Sequence, residues 1–338
     1  MPSWNLAAGI ACALVASSAL AADKPPTTGI YPDVIRYPVP ADISSFKQPA
    51  SLLADIKAIK TGTLQQRIQA LKAMTLRDLV FVKGGSFLMG DFGPLQSKEH
   101  LPWDNNINSS PLHKVTLTSY SISKYKVTRA QILLYTEVNH LPKPDTGPDV
   151  PKIIRISTWE SSPPSSPGGL TWGQAQGYCK WLGKLTGKPF ALPTEAQWEY
   201  AARDRGRFIL FATDNGKQEL NRNVPTAAFT EKLSKPWHGM HLSIPSPVGL
   251  FPPSPLGLYG MTNGPYEWVR DWFSADYYSH SKNSVDPTGP RTGTEKVLRG
   301  GGILYVSTTI HRYHGPPEPS EVTFRCVVNS PIPVKRLN

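Results

Sequence analysis

The first 21 residues contain no Lys, Arg, Asp or Glu. They hold instead an apolar run from Leu6 to Leu20 that closes on Ala19-Leu20-Ala21. That small-x-small ending belongs to a secretory signal peptide, and the run is too short to anchor a chain across a bilayer. Cleavage near Ala21 is expected, leaving an exported, periplasmic mature chain. A lipoprotein reading would make Cys12 the anchor, but Gly9 stands where leucine is wanted.

Cysteine is scarce as well, at three residues. Loss of Cys12 with the signal leaves Cys179 and Cys326. In an oxidising compartment an even pair reads first as a disulfide and second as two free thiols. Closing so long a loop would contribute on the order of 4 to 5 kcal/mol in the chain-entropy model. There is no internal repeat, and spacing alone pairs no acid with a base and no nucleophile with one.

Acidic residues are outnumbered, 25 against 36 Lys and Arg, for a net charge of +11. Such a balance favours acidic partners or anionic surfaces. The cations are scattered and read as a solvated basic face, and in an exported chain nucleic acid is a poor partner. Glycine (27) and proline (34) stay below the level of low complexity. Proline is nonetheless about twice its ordinary usage, which predicts a loop-rich fold with little long helix. A hydrophobic content of 39% supplies one large core or two smaller ones.

Along the chain, 22–50 reads as an arm rich in turn formers. Leu53, Ile56, Ile59, then Leu64, Ile68, Leu71 and Met74 fall at helical spacing around a break at Gly62, predicting two short amphipathic helices packed on the main domain. From Phe81, FVKGGSFLMGD reads as strand, turn, strand, and HKVTLTSYSISKYKVTRAQILLYTEV as alternating strand followed at Thr128 by a helix. Residues 141–170, rich in Pro, Ser and Gly, read as a long loop. LTWGQAQGYCKWLGKLTGK is a helix, and LPTEAQWEYAARD another, opened by Thr194 with Gln197 as a capping box. Residues 205–298 read as long loops with short strands.

Six segments, FVKGGSFLMG, HKVTLTSYSISKYKVT, TWGQAQGYCKWLGKLTGKPFALPTEAQWEYAAR, GLYGMTNGPYEWVRDWF, VLRGGG and FRC, stand in this order between Phe81 and Val328. Together they closely resemble the formylglycine-generating enzyme family, the sulfatase-modifying-factor domain. The resemblance implies an α+β fold over 80–338, C-type-lectin-like and poor in regular secondary structure, after an arm and short helices at 22–79. Read from the residues themselves, these signatures are scaffold. Trp172, Trp181, Trp198, Tyr200, Trp268 and Trp272 are large payloads with one polar handle each, and Glu195, Glu199 and Arg203 suit a structural ion network better than acid-base catalysis. The resemblance further implies that Cys179 pairs with Cys326.

Enzymes of this family hold copper on two cysteines spaced by five after RGGS, soft sulfur selecting the monovalent ion. The matching positions here are Tyr305 and Ile310, and the serine position is Gly302. No copper and no such oxidation are expected. The family's structural calcium maps onto NGPYEW, with Glu267 and the carbonyls of Asn263 and Pro265 as ligands, although an upstream asparagine has become Gly260. A second calcium is expected to be lost at Met240. Gly302, Tyr305, Ile310, Tyr266 and Trp268 are expected to line the former active-site cleft.

Among exported members without the copper ligands, the chain looks most like the TagR-type periplasmic regulator upstream of the threonine phosphorylation switch of type VI secretion. That resemblance implies a non-catalytic binding protein whose partners are the periplasmic sensor domain of a membrane kinase and an outer-membrane lipoprotein. Two alternatives stand beside it. One is a periplasmic enzyme of altered chemistry, of the siderophore-maturation kind, drawing on Tyr305, His311, Arg312 and His314. The other is a carbohydrate-binding module using exposed aromatics such as Tyr277 and Tyr278.

Overall fold

Four helices start at a threonine whose hydroxyl accepts a backbone N–H three residues on, while a glutamine at that third position accepts the threonine's own N–H. The pairs are Thr63–Gln66, Thr128–Gln131, Thr171–Gln174 and Thr194–Gln197. Each such box satisfies two of the N–H groups a helix start leaves unpaired. The computed structural model describes residues 45–144, 162–234, 246–301, 307–318 and 322–335. Chain contacts separate Met1–Pro38 from Val39–Asn338, and every described residue belongs to the second unit. The expected signal peptide, most of the expected arm, Met240, Gly302 and Tyr305 lie outside the described residues.

The described helices are α1 (Ala50–Ala58), α2 (Leu64–Arg77), α3 (Gly93–Gln96), α4 (Arg129–Val138), α5 (Trp172–Thr186), α6 (Glu195–Ala202), α7 (Ala227–Ser234) and α8 (Tyr277–His280). One sheet has the order β1 (Leu79–Val82), β4 (Tyr120–Ser123), β11 (Val327–Val328), β5 (Phe190–Ala191), antiparallel throughout. A second runs β10 (Thr323–Phe324), β6 (Glu267–Trp272), β8 (Lys296–Arg299), β9 (Tyr313–Gly315), with β10 parallel to β6. The third is β2 (Gly85–Met89), β3 (His113–Leu117), β7 (Ser284–Val285). The architecture is α+β.

Two local readings change in three dimensions. The segment FVKGGSFLMGD does form two strands, but β1 pairs with β4 and β2 with β3, so the turn between them passes the chain from one sheet to another. The stretch after Asp204 contains α7, which short-range pattern did not distinguish from loop.

Leu52 and Ile56 of α1, Ile59 just after it, and Leu71, Met74 and Leu76 of α2 share one core with Ile132 and Leu134 of α4 and Ala175, Tyr178 and Leu182 of α5. Leu52 takes the inward place in α1, and Leu53 is 47% exposed. The expected boundary between residues 79 and 80 falls inside β1. A second core lies between the sheets and α6, around Trp198, Val269 and Val297. A smaller one joins Phe229, Leu250 and Phe251, with Phe46 packed against it.

Candidate functional site

Every residue of α6 is buried, including Glu195 and Glu199. Burying carboxylates is tolerable only with charge partners, and three guanidinium groups provide them. Arg312 donates from Nε to Glu195 Oε1 at 2.7 Å and from Nη2 to Oε2 at 3.0 Å. Arg299 donates to Glu195 Oε1 at 3.1 Å and to Glu199 Oε2 at 2.8 Å. Arg203, one turn after Glu199, donates to its Oε1 at 2.7 Å. The network expected of Glu195, Glu199 and Arg203 is therefore present, with Arg299 and Arg312 as members that sequence spacing did not reveal. Burial pushes the neighbouring Asp271 carboxyl up to about 7, with the Glu195 charge adding to the rise.

Two members of this network, Arg299 and Arg312, flank the stretch in which the positions matching the family's copper cysteines were expected. Arg299 closes β8 and donates to the carbonyls of Thr309 and Ile310 at 2.5 and 3.3 Å. Gly300, at φ +74°, and Gly301 follow because a Cβ there would sit 2.3 Å from the Trp198 ring and 2.3 Å from the Tyr266 nitrogen, respectively. The paired glycines are thus a close-approach requirement. Ile310 is fully buried. Tyr266 is half-buried and stacks on Tyr313 of β9, with ring centroids 5.0 Å apart. Trp268 is fully buried and donates to the Leu170 carbonyl at 2.8 Å, so it belongs to the core rather than to an open surface.

The histidines divide. His311 Nδ1 lies 3.2 Å from Asp104 Oδ1, and His314 Nδ1 lies 2.8 Å from Glu295 Oε2 with its ring stacked on Phe273 at 3.8 Å. His238 and His241 are outside the described residues. Among the described residues no group of three His, Cys, Asp or Glu side chains could hold a metal ion. Arg312, an expected candidate for altered chemistry, is fully buried and committed to Glu195. The expected exposure of Tyr278 is corrected. It is fully buried, its hydroxyl donates to Glu195 Oε1 at 3.2 Å, and Tyr277 is half-buried. Both aromatics flank the charge network, where burial of the ring is what excludes water from the ion pairs.

The loop before β6 brings the expected calcium ligands together, around an unexpected centre. The Lys126 ammonium donates to the carbonyls of Asn263 at 3.1 Å and Pro265 at 2.5 Å, and lies 3.7 Å from Glu267 Oε1. Glu267 is held bidentately by Arg325, at 2.7 and 2.8 Å, and accepts from Trp198 Nε1 at 3.2 Å. Burial pulls the Lys126 ammonium down to about 8, opposed by the charge of Glu267. These residues do not fit a calcium ion as they stand. Their acceptors already face two cations, and Gly260 brings no side-chain oxygen.

The disulfide between Cys179 of α5 and Cys326 is present, with Cα atoms 5.8 Å apart and both residues fully buried. Among the described residues no helix is long and apolar enough to cross a membrane.

Against known proteins, a family model described as the sulfatase-modifying factor enzyme 1-like domain matches residues 65–330. The serine/threonine-protein kinase pkn1 of Chlamydia pneumoniae is 28% identical over 269 residues, covering 75% of this chain and 38% of that protein. The chain thus spans less than half of the kinase it matches. The formylglycine-generating enzyme of Streptomyces coelicolor is 30% identical over 284 residues, 72% of this chain and 84% of the enzyme. The inactive C-alpha-formylglycine-generating enzyme 2 of Mus musculus is 25% identical over 232 residues, 58% of this chain and 69% of that one. Among solved structures, PvdO from Pseudomonas aeruginosa superposes with a TM-score of 0.54 at 24% identity, over 74% of this chain and 93% of its own, a likeness of fold.

Proposed function

The chain belongs to the sulfatase-modifying factor enzyme 1-like domain family, and from that premise we propose that it is a non-catalytic member acting through protein contact. The observation that carries this reading is Ile310. One of the two positions where the family's copper thiolates belong holds an aliphatic side chain sealed in the interior. Both cysteines outside the signal sequence are consumed in the buried disulfide, so neither can supply a soft ligand. The family has a relative whose name declares it inactive.

In this reading the mature protein works in the periplasm and contacts the sensor domain of a membrane threonine kinase controlling type VI secretion, alongside an outer-membrane lipoprotein. A segment like this one occurs within a longer chain named as a serine/threonine kinase, which favours a kinase-linked role. The net charge of +11 favours an acidic face on the partner.

The test has two arms on the purified mature protein. Incubated with copper and a peptide carrying a sulfatase cysteine, it should leave the peptide mass unchanged, while the sensor domain of the cognate kinase should bind saturably and more weakly at high salt. Conversion of cysteine to formylglycine would overturn the non-catalytic reading, and absence of sensor binding would overturn the kinase assignment. A second reading, an enzyme of altered chemistry, rests on the His311–Asp104 pair, since a carboxylate at Nδ1 orients an imidazole for proton transfer.

A further inference from the structure

The cation that organises the loop before β6 is supplied by the chain itself. Three acceptors that a hard metal ion would use, the Asn263 and Pro265 carbonyls and Glu267 Oε1, converge on the Lys126 ammonium. Lys126 is 4% exposed and Glu267 is fully buried, so this is an interior charge pair rather than a surface contact. We propose that Lys126 is a covalently tethered replacement for a structural calcium, which makes the loop 260–267 independent of metal.

Three further observations agree. The first is charge. Lys126 and Arg325 already place two positive charges against the single carboxylate of Glu267, and a divalent ion added there would face repulsion from both with no second carboxylate to offset it. The second is ligand number. Calcium takes about six to eight oxygens, but Glu267 Oε1 and Oε2 are both engaged by Arg325, and the Tyr259 carbonyl also accepts from that guanidinium. The third is space. A Cβ at Gly260 would lie 3.9 Å from Lys126 Cε, and one at Gly264 3.7 Å from Nζ, both glycines having positive φ (+64° and +77°). A residue with an oxygen-bearing side chain at position 260 would reach toward the volume the lysine stem fills. The glycine and the lysine form a matched pair, one ligand removed and one cation installed.

The loop matters because it supports the neighbouring segment. The Gly301 Cα packs so tightly on Gly264, Pro265 and Tyr266 that an added Cβ would come within 2.6 Å of the Gly264 carbonyl. Lys126, Gly260, Asn263 and Gly264 also line one cavity at this loop.

Thermal unfolding of the mature protein tests this, in EGTA and in millimolar calcium, with Lys126→Met beside the wild type. The wild-type Tm should agree within about 1 °C between the two conditions, and Lys126→Met should melt several degrees lower in both, because its carbonyls and Glu267 lose their cation. A stoichiometric calcium site at saturating metal would instead raise the wild-type Tm by several degrees. That rise, together with one calcium per chain by elemental analysis, would overturn the proposal, as would a Lys126→Met chain as stable as the wild type. Should Lys126→Met not accumulate, the wild-type comparison decides by itself. This outcome is independent of the kinase reading, which is scored by binding.

Discussion

At the scale of single residues the interior of this protein is unusual for the charges it holds. Three guanidinium groups, Arg203, Arg299 and Arg312, meet Glu195 and Glu199 with almost no exposure. Lys296 lies between Trp172 and Trp272, its ammonium 3.6 and 3.4 Å from the ring centroids. Removing one partner of such a group leaves a buried charge uncompensated, which is why these side chains act as a unit. Asp271 gives the set a pH dependence. Its carboxyl is raised to about 7 from an ordinary value of 3.8, mainly by burial and next by Glu195. The folded chain therefore keeps a proton on Asp271 in a range where the unfolded chain has released it, and this group's contribution to stability falls as pH rises from about 4 to about 7. Asp271→Asn should abolish that slope. The wild type should lose on the order of 4 kcal/mol relative to the variant across the window, read from urea midpoints at each pH, and parallel curves for the two proteins would refute the assignment.

At the scale of elements, α1 and α2 are built as part of the domain. Leu71 is fully buried beside α4 and α5, and Arg67 of α2 reaches Glu137 of α4 with two hydrogen bonds, at 2.8 and 2.7 Å. The Thr63–Gln66 box, by contrast, is exposed. Leu71→Ala should destabilise the chain by about 2–5 kcal/mol through the cavity it leaves, and Thr63→Ala by about 1 kcal/mol through the lost cap. Equal, small effects in a denaturant series would mean that the helices are a detachable arm. Partner-binding studies are accordingly better served by substitutions on the exposed face of α1 and α2 than by deleting them.

At the scale of the whole molecule, long-range links replace extended secondary structure. The three described sheets have three or four strands each, and several strands have only two residues. The disulfide spans 147 residues and ties α5 to the two-residue link between β10 and β11. In the chain-entropy model such a link contributes up to about 5 kcal/mol. Because both cysteines are fully buried, reductant should act slowly on the native protein and quickly in denaturant, and the paired Cys179→Ala, Cys326→Ala variant should unfold at markedly lower urea. Rapid thiol release under native conditions would place the bridge at the surface instead.

Much of this was legible in the residues. The capping box at Thr194 and the two helices around Gly62 are local patterns that backbone preference carries into three dimensions, although Leu53 and Leu64 of the expected stripes are exposed, and the cysteine pair followed from scarcity. Partner choice at long range was not legible. Nothing near Arg299 or Arg312 announces Glu195, more than a hundred positions earlier, and nothing in KYKVTR distinguishes Lys126 from a solvated lysine. Residue identity and short spacing were enough for most of the helices and strands before Asp204 and for the family, whereas α7 was not distinguishable from loop on that basis. The tertiary structure alone decided that β1 and β2 join different sheets, that Tyr278 is interior, and that Lys126 stands among the Asn263, Pro265 and Glu267 oxygens expected to hold calcium. Each of these depends on which distant groups must share one dry volume, and the burial of charge there is permitted only by partners the fold brings to it.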